Sequence, residues 1–269
     1  MYITNKSLQG DYIMLKKAIV GTALLASASF ATFSNFPVPA PMSGEAKIVG
    51  DFIIHDKWKG LDLSAKARFV PTQNLELYLK LPFRPISRYD GNNDHNTGME
   101  NLTFGARYQI IPTVAAFLDV TFPTGKDKIS DDGFGFYFGG QYSQDFGGVA
   151  LGTEAGLSIT TEGDDRKKGP MSLILNAELD PNVSQVVSPY FGITFDILLN
   201  DEKTRGKKSA ETSGDVGVAP YVGANFKVNP MLSFDACVTL GLGDDDYLIY
   251  TSGNTKMTVT IEGSVNVAF

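Results

Sequence analysis

The feature that most constrains this chain is an alternation of apolar and polar residues that returns twelve times. It is clearest in "KMTVTIEGSVNVAF" (256–269). Phe269, Val267, Val265, Gly263, Ile261 and Val259 are apolar or small, and the residues between them are mostly polar, Glu262 and Asn266 included. A period of two is a β-strand with one oily and one wet face. The same pattern runs through "AKIVGDFII" (46–54), "LDLSAKARF" (61–69), "LELYLKL" (75–81), "LTFGARYQI" (102–110), "VAAFLDVTF" (114–122) and "FGFYFGGQY" (134–142). It continues in "VALGTEAGLSI" (149–159), "MSLILNAEL" (171–179), "VSPYFGITFDI" (187–197), "VGVAPYVGANFKV" (216–228) and "LSFDACVTLGL" (232–242). Helical periodicity is convincing nowhere.

The links sort into two kinds in alternation. Short ones, "VPTQN" (70–74), "IPT" (111–113), "QDFGG" (144–148), "DPNVS" (180–184) and "VNPM" (228–231), carry the Pro, Asn, Asp and Gly of tight turns. Longer polar ones, 84–100, 123–133, 160–170, 199–214 and 243–256, come between them, with 55–60 a short exception. Strands linked this way run up and down, with turns at one end and loops at the other.

What solvent such a sheet needs follows from its charges. The polar face carries Lys66, Arg68, Glu76, Lys80, Arg107, Asp119, Glu154, Glu178, Asp196, Lys227, Asp235 and Glu262 within strands. Such charges require water or one another, whereas the other face requires an apolar medium. A secreted sandwich would need a second apolar face to meet the first. A lipocalin-like barrel would carry its apolar face inside and usually has eight strands. A closed barrel with lipid outside and a hydrated, ion-paired lumen satisfies both faces and leaves no unpaired edge. The expected fold is therefore all-β, a twelve-stranded antiparallel up-and-down transmembrane β-barrel. In it Lys66, Arg68, Lys80 and Arg107 pair with Glu76, Asp119 and Glu154, and the last strand closes on the first near 46–54. Trp58, Phe69, Phe83, Phe122, Phe134, Tyr142, Phe146, Phe226 and Tyr250 are candidates for aromatic belts at the two membrane surfaces.

Mean hydropathy is −0.05, which does not exclude a membrane, because transmembrane strands alternate and their hydropathy averages out. The address is at the front. "MLKKAIVGTALLASASFA" (14–31) has a basic pair, an apolar run and two small-residue cleavage sites, after Ala28 or Ala31. Residues 1–31 thus read as an extension plus secretory signal peptide starting at Met14, 32–44 as a Pro-rich periplasmic lead, and 45–269 as the barrel. The net charge is −7, and losing 1–31 makes the remainder more acidic, so nucleic acid is excluded as a partner. The single Cys237 has no disulfide or zinc partner.

At this level the residues resemble outer-membrane β-barrels of diderm bacteria. Phe269 with Val267, Val265 and Ile261 resembles the C-terminal signal read by the barrel-assembly machinery. "ENLTFGARYQIIPTVAAFLDVTFPTG" (100–125) and "GLDLSAKARFVPTQNLELYLKLPF" (60–83) are similar to hairpins of the outer-membrane family described under the meta-pathway of phenol degradation. Asn101 stands where Asp is common there, and Arg107 where Lys is common. The resemblance implies a twelve-stranded barrel that passes small, often hydrophobic or aromatic, molecules.

Catalytic and metal chemistry find little support. His55 and His95 are the only histidines, and His95 in "DHNTG" has Thr97 but no Ser beside it, which argues against an outer-membrane lipid hydrolase. Asp90, Asn92 and Asp94 begin like a calcium loop, but His95 and Asn101 stand where Gly and Glu are required. The chain is therefore expected to be no enzyme and to hold no metal or cofactor. Loop carboxylates remain candidates for cations that bridge lipopolysaccharide. Inward carboxylates outnumber inward Lys and Arg, so an open lumen disfavours anions, unlike twelve-stranded porins for acidic oligosaccharides. The leading reading is a passive channel or transporter for small uncharged, hydrophobic or weakly cationic solutes in the bacterial outer membrane, with lipid, lipopolysaccharide and the assembly machinery as partners. A structural or adhesive surface barrel with partner-binding loops is the alternative.

Overall fold

The computed structural model describes residues 33–55, 57–89, 92–93, 96–126, 129–130, 132–164, 166–243 and 257–269. Twelve long strands account for most of them. They are β1 (Gly44–His55), β2 (Trp58–Thr72), β3 (Leu75–Tyr89), β4 (Leu102–Ile111), β5 (Val114–Phe122) and β6 (Gly135–Asp145), then β7 (Val149–Thr160), β8 (Ser172–Pro181), β9 (Val187–Leu198), β10 (Val216–Lys227), β11 (Leu232–Gly243) and β12 (Met257–Ala268). Each pairs antiparallel with its neighbours in sequence, and β12 returns to β1, with Ala46 opposite Val267 and Ile54 opposite Val259. The sheet is a closed barrel, and the seam lies where the sequence places it.

Turn chemistry holds one end together. Asn229 Oδ1 accepts from the backbone N–H groups of Met231 and Leu232, Ser184 Oγ from that of Val187, and Asp145 Oδ1 from that of Gly147, whose φ of 85° suits glycine. At the other end β3 runs past β4. Its ladder with β4 stops at Lys80–Thr103, and the remainder pairs with Gly98–Met99 and Asn92–Asn93. A separate antiparallel tongue of three short strands, Lys167–Lys168, Glu202–Thr204 and Lys207–Ala210, rises from the loops at this end.

The barrel is inside-out. The most deeply buried large side chains include Arg84, Arg107, Glu76 and Asp196, whereas Phe104, Leu118, Val222, Val238 and Ile261 are exposed on the outer face. Among the described residues, buried apolar side chains cluster at Phe117, Tyr137 and Ile174. In water an outer face of this kind would be costly at roughly 25 cal/mol per Å²; in lipid it is the matched surface. Phe69, Tyr142, Phe146 and Phe226 crowd the turn end of that face, and Phe83 and Phe134 the loop end, as membrane-surface belts require. The chain folds as a closed β-barrel of the transmembrane kind, apolar outside and charged within.

Trp58 departs from the expected belt. Strand β2 starts at Trp58 and not at Leu61, which puts Trp58 in phase with the inward residues. It is buried, donates Nε1–H to Ser87 Oγ at 2.9 Å, and lies 5.3 Å from the Arg84 guanidinium. Tyr250 lies outside the described residues.

Candidate functional site in the barrel lumen

Every charged residue singled out from the strands has inward phase. Lys66 and Arg68 stand on β2, Glu76 and Lys80 on β3, Arg107 on β4, Asp119 on β5 and Glu154 on β7. Glu178 stands on β8, Asp196 on β9, Lys227 on β10, Asp235 on β11 and Glu262 on β12. Lys227 is set apart, exposed at the turn end. The same phase adds Glu45, Lys47, Asp51, Asp62, Arg84 and Asp180 to the interior. The first three and Asp62 were open to the period-two reading of β1 and β2, while Arg84 lies past the point where Pro82 and Pro85 hide the continuation of β3.

The charges divide into two tiers over the first half of the barrel. At the turn end, Glu76 is wholly buried, and one of its oxygens accepts from Arg107 Nη2 at 2.9 Å and Arg68 Nη1 at 3.2 Å. Arg68 also pairs with Glu45. At the loop end, Arg84 grips Asp62 through Nε and Nη2, and Nη2 also meets Glu100 at 2.9 Å. Buried ions of this kind persist only when paired and hydrogen-bonded. The Arg68–Glu76 and Arg107–Glu76 pairs realise the expected cross-strand pairing. Asp119 and Glu154 meet neutral groups instead: Asp119 lies beside Tyr78 across Gly105, and Glu154 accepts from Tyr137 Oη at 2.6 Å and Gln141 Nε2 at 2.7 Å.

The lead before β1 completes the turn-end tier. Residues 33–38 fold back into the barrel mouth. Arg107 Nη1 donates to the carbonyl oxygens of Ser34 and Phe36, the latter at 2.6 Å, and Gln141 Nε2 donates to that of Ser34 at 3.0 Å. Asn35 donates to Asn176 Oδ1 at 2.7 Å, and the N–H of Val38 to Gln109 Oε1 at 2.8 Å. The Phe33 ring lies between Lys47 and Arg68, at 4.3 and 4.5 Å, and meets Tyr78 edge-on. Residues 33–38 of the Pro-rich lead are therefore packed within the mouth. The signal was weak because most of these hydrogen bonds use backbone carbonyls, which every residue has.

Beside the lead remains a cavity of about 250 Å³ against β8 to β12, lined among others by Glu178, Asp180, Tyr190, Tyr221, Asp235 and Glu262. Tyr221 Oη donates to Glu178 Oε2 at 2.8 Å, and Tyr190 Oη to Asp235 Oδ1 at 2.6 Å. The two rings meet edge-to-face at 6.3 Å. Each lies over a glycine of the adjoining strand, Tyr221 over Gly192 and Tyr190 over Gly223, where a Cβ would come within 2.4 Å of the phenol. The glycines are what let these tyrosines lie flat along the wall. Cys237 is a buried free thiol on the same side.

Outside the wall, the tongue carries Arg166, Lys167, Lys168, Lys203, Arg205, Lys207 and Lys208, all exposed. Lys208 pairs with Asp201 at 3.0 Å and Glu211 at 3.1 Å. Its hydrogen bond holds the Asp201 carboxyl below the usual carboxylate range. His55 is buried, its Nδ1 2.8 Å from Thr258 Oγ1. His95, Asp90, Asp94, Asp131 and the acidic run 244–246 lie outside the described residues.

Among solved structures the chain is similar to an outer membrane channel from Pseudomonas putida F1, with a TM-score of 0.69, 14% identity, and 88% of this chain and 99% of that chain covered. It is also similar to the NanC porin (TM-score 0.55, 7% identity, 82% and 98% covered) and to the translocator domain of the autotransporter NalP from Neisseria meningitidis (0.51, 12%, 96% and 97%). These identities carry the fold. No curated protein sequence matches the chain significantly. Residues 19–254 match the family described as "Putative MetA-pathway of phenol degradation", which spans far more than half of the sequence, and the chain belongs to that family.

Proposed function

We propose that the protein is a passive outer-membrane channel or transporter for small uncharged, hydrophobic or weakly cationic solutes. In this reading the turn end and both termini face the periplasm and the longer loops face outward. The observation that carries it is the lumen: a polar cavity of about 250 Å³ in a barrel whose interior is charged and whose outer face is apolar. In this reading the strand charges named above line the lumen, with Lys227 at its rim and Arg68, Glu154, Glu178, Asp235 and Glu262 on the cavity itself, and their carboxylate excess disfavours anions. The arginine–carboxylate tiers shape the path, and the lead at 33–38 narrows its periplasmic mouth. Lipid surrounds the wall, lipopolysaccharide the loops, and the assembly machinery reads Ile261, Val265, Val267 and Phe269. Reconstitution into liposomes tests the reading. Swelling with neutral and cationic solutes in preference to anions of the same size supports it; absence of any flux or conductance refutes it.

The basic tongue favours a second reading, a surface barrel whose loops bind partners. Deleting 199–214 would then abolish cell or surface binding and leave permeability unchanged.

A further inference from the structure

The lumen is electrically lopsided. Over β1 to β4 its arginines meet carboxylates: Arg68 with Glu45 and Glu76, Arg107 with Glu76, Arg84 with Asp62 and Glu100. On the opposite wall, β8 to β12, the cavity is lined by Glu178, Asp180, Asp235 and Glu262. Among the described residues none of these four forms an ion pair with Lys or Arg. Of the two cations on the cavity wall, Arg68 is already held by two carboxylates, and Lys47 lies over the Phe33 ring at 4.3 Å.

Carboxylates withdrawn from bulk water call for a compensating charge. Here two of the four, Glu178 and Asp235, have phenols instead, and Lys47 acts on Glu178, Asp235 and Glu262 only from beyond ion-pair distance. Tyrosine hydroxyls take one oxygen of Glu178 and one of Asp235, and a carboxylate with about four acceptor sites keeps capacity for more. Glu262 gives an independent indication: it is 8% exposed, it lines this cavity, and its Oε2 accepts no hydrogen bond. Half-buried Asp180 also lines the cavity, and its Oδ1 likewise accepts no hydrogen bond. The apolar part of the wall is aromatic, since Tyr190 and Tyr221 stand edge-to-face with Phe33 and Phe36 also on the lining. Carboxylates beside aromatic faces suit an ammonium on an apolar body, the carboxylates taking its N–H bonds and the rings its charge. A bare alkali ion would find the charge but make no use of the rings.

We infer that this wall is a binding site for a small organic monoamine cation, with Glu178 and Asp235 as its anionic anchors and Tyr190 and Tyr221 as its aromatic flank. The inference deepens the permeation reading by naming the solute class the lumen retains. Its size fits a single-ring or short-chain amine, and the one arginine on its lining, Arg68, reaches it from β2 already paired, with none supplied by β8 to β12.

Benzylamine, with benzyl alcohol as its neutral counterpart, is the probe. Titration into the detergent-purified full chain, followed by calorimetry, is expected to show saturable benzylamine binding and at least about tenfold weaker binding of benzyl alcohol. Asp235→Asn and Glu178→Gln, which preserve shape and the tyrosine contacts, should each weaken benzylamine binding by about tenfold or more and leave benzyl alcohol unaffected. Persistence of the heat-modifiable band shows that each variant is folded; Tyr190→Phe, which removes only a hydroxyl, is the second variant and should weaken binding less. Equal binding of amine and alcohol, or displacement of benzylamine by potassium at concentrations near its own, overturns the site. Liposome flux is measured separately. Benzylamine binding without flux upholds the site while refuting permeation, and flux of neutral solutes without amine binding does the reverse.

Discussion

Replacing Arg107 by Leu should unseat the lead at 33–38. The Arg107 guanidinium is 1% exposed and is the point where lead and wall are joined, with Nη1 on the carbonyls of Ser34 and Phe36 and Nη2 on Glu76. A hydrogen bond to a charged group contributes roughly 1.5–3 kcal/mol net. Taking the lower figure for each of the two carbonyls, the seated lead loses about 3 kcal/mol relative to the unseated one. At 1.4 kcal/mol per tenfold, that is a shift of about 150-fold. The Gln141–Ser34 and Asn35–Asn176 bonds remain, so the lead is weakened and not deleted. Glu76 keeps Arg68, at 3.2 Å, as a partner. The readout is the labelling rate of a Ser34→Cys thiol by a water-soluble maleimide in a Cys237→Ser background, since Cys237 is the only native cysteine. Labelling about two orders of magnitude faster, with higher single-molecule conductance, is the expected result. Arg107→Lys keeps the charge but cannot fork to both carbonyls and Glu76, and should fall between. A labelling rate within about threefold of the parent, in a variant whose band is still heat-modifiable, would refute the claim that these bonds seat the lead.

Deleting Phe269 removes the last rung of the seam, where Gly44 and Phe269 exchange both backbone hydrogen bonds at 2.8 and 2.9 Å. The outer-membrane fraction that is heat-modifiable should fall, while conductance per assembled molecule stays the same. Leu118→Arg places a charge on the outward face in mid-β5, where Leu118 is 46% exposed. It should cost about 2–4 kcal/mol when unfolding is followed by urea titration in liposomes, a penalty that would vanish if that face met water. Gly223→Ala brings a Cβ within 2.4 Å of the Tyr190 phenol, so benzylamine affinity should drop although no charge has changed, as calorimetry would record.

How much of this was legible in the sequence depends on what carries the information. A strand facing lipid on one side and water on the other writes itself as strict alternation. The bounds of β5 were therefore readable to the residue, and the inward phase of Glu76, Arg107 and Glu262 followed from counting. Trp58 was misplaced because its side was inferred from a preference for membrane surfaces, whereas the phase of β2 decides it. Arg84 stayed hidden because two prolines masked the last third of β3, although both are accommodated in a strand that has outrun its neighbour β4. The seating of the lead had no pattern to betray it, and neither did the partition of the lumen into a side where arginines meet carboxylates and a side where tyrosines do. Partition depends on which strands adjoin around the ring, and that becomes concrete only once the ring is closed.

The seam between β1 and β12 also bears on the order of assembly. Every other interface in the ring is a hairpin between strands adjacent in sequence, whereas this one joins residues some two hundred positions apart. Local hairpins can zip one after another at small entropic cost, but a contact of such long separation gives nothing until nearly the whole wall exists. Closure is thus the slow, all-or-none event. Because the lead at 33–38 touches Lys47 on β1, Arg107 on β4, Gln141 on β6 and Asn176 on β8 at once, its seat exists in full only when those strands stand round it, so the mouth is narrowed as a result of closure and not before it.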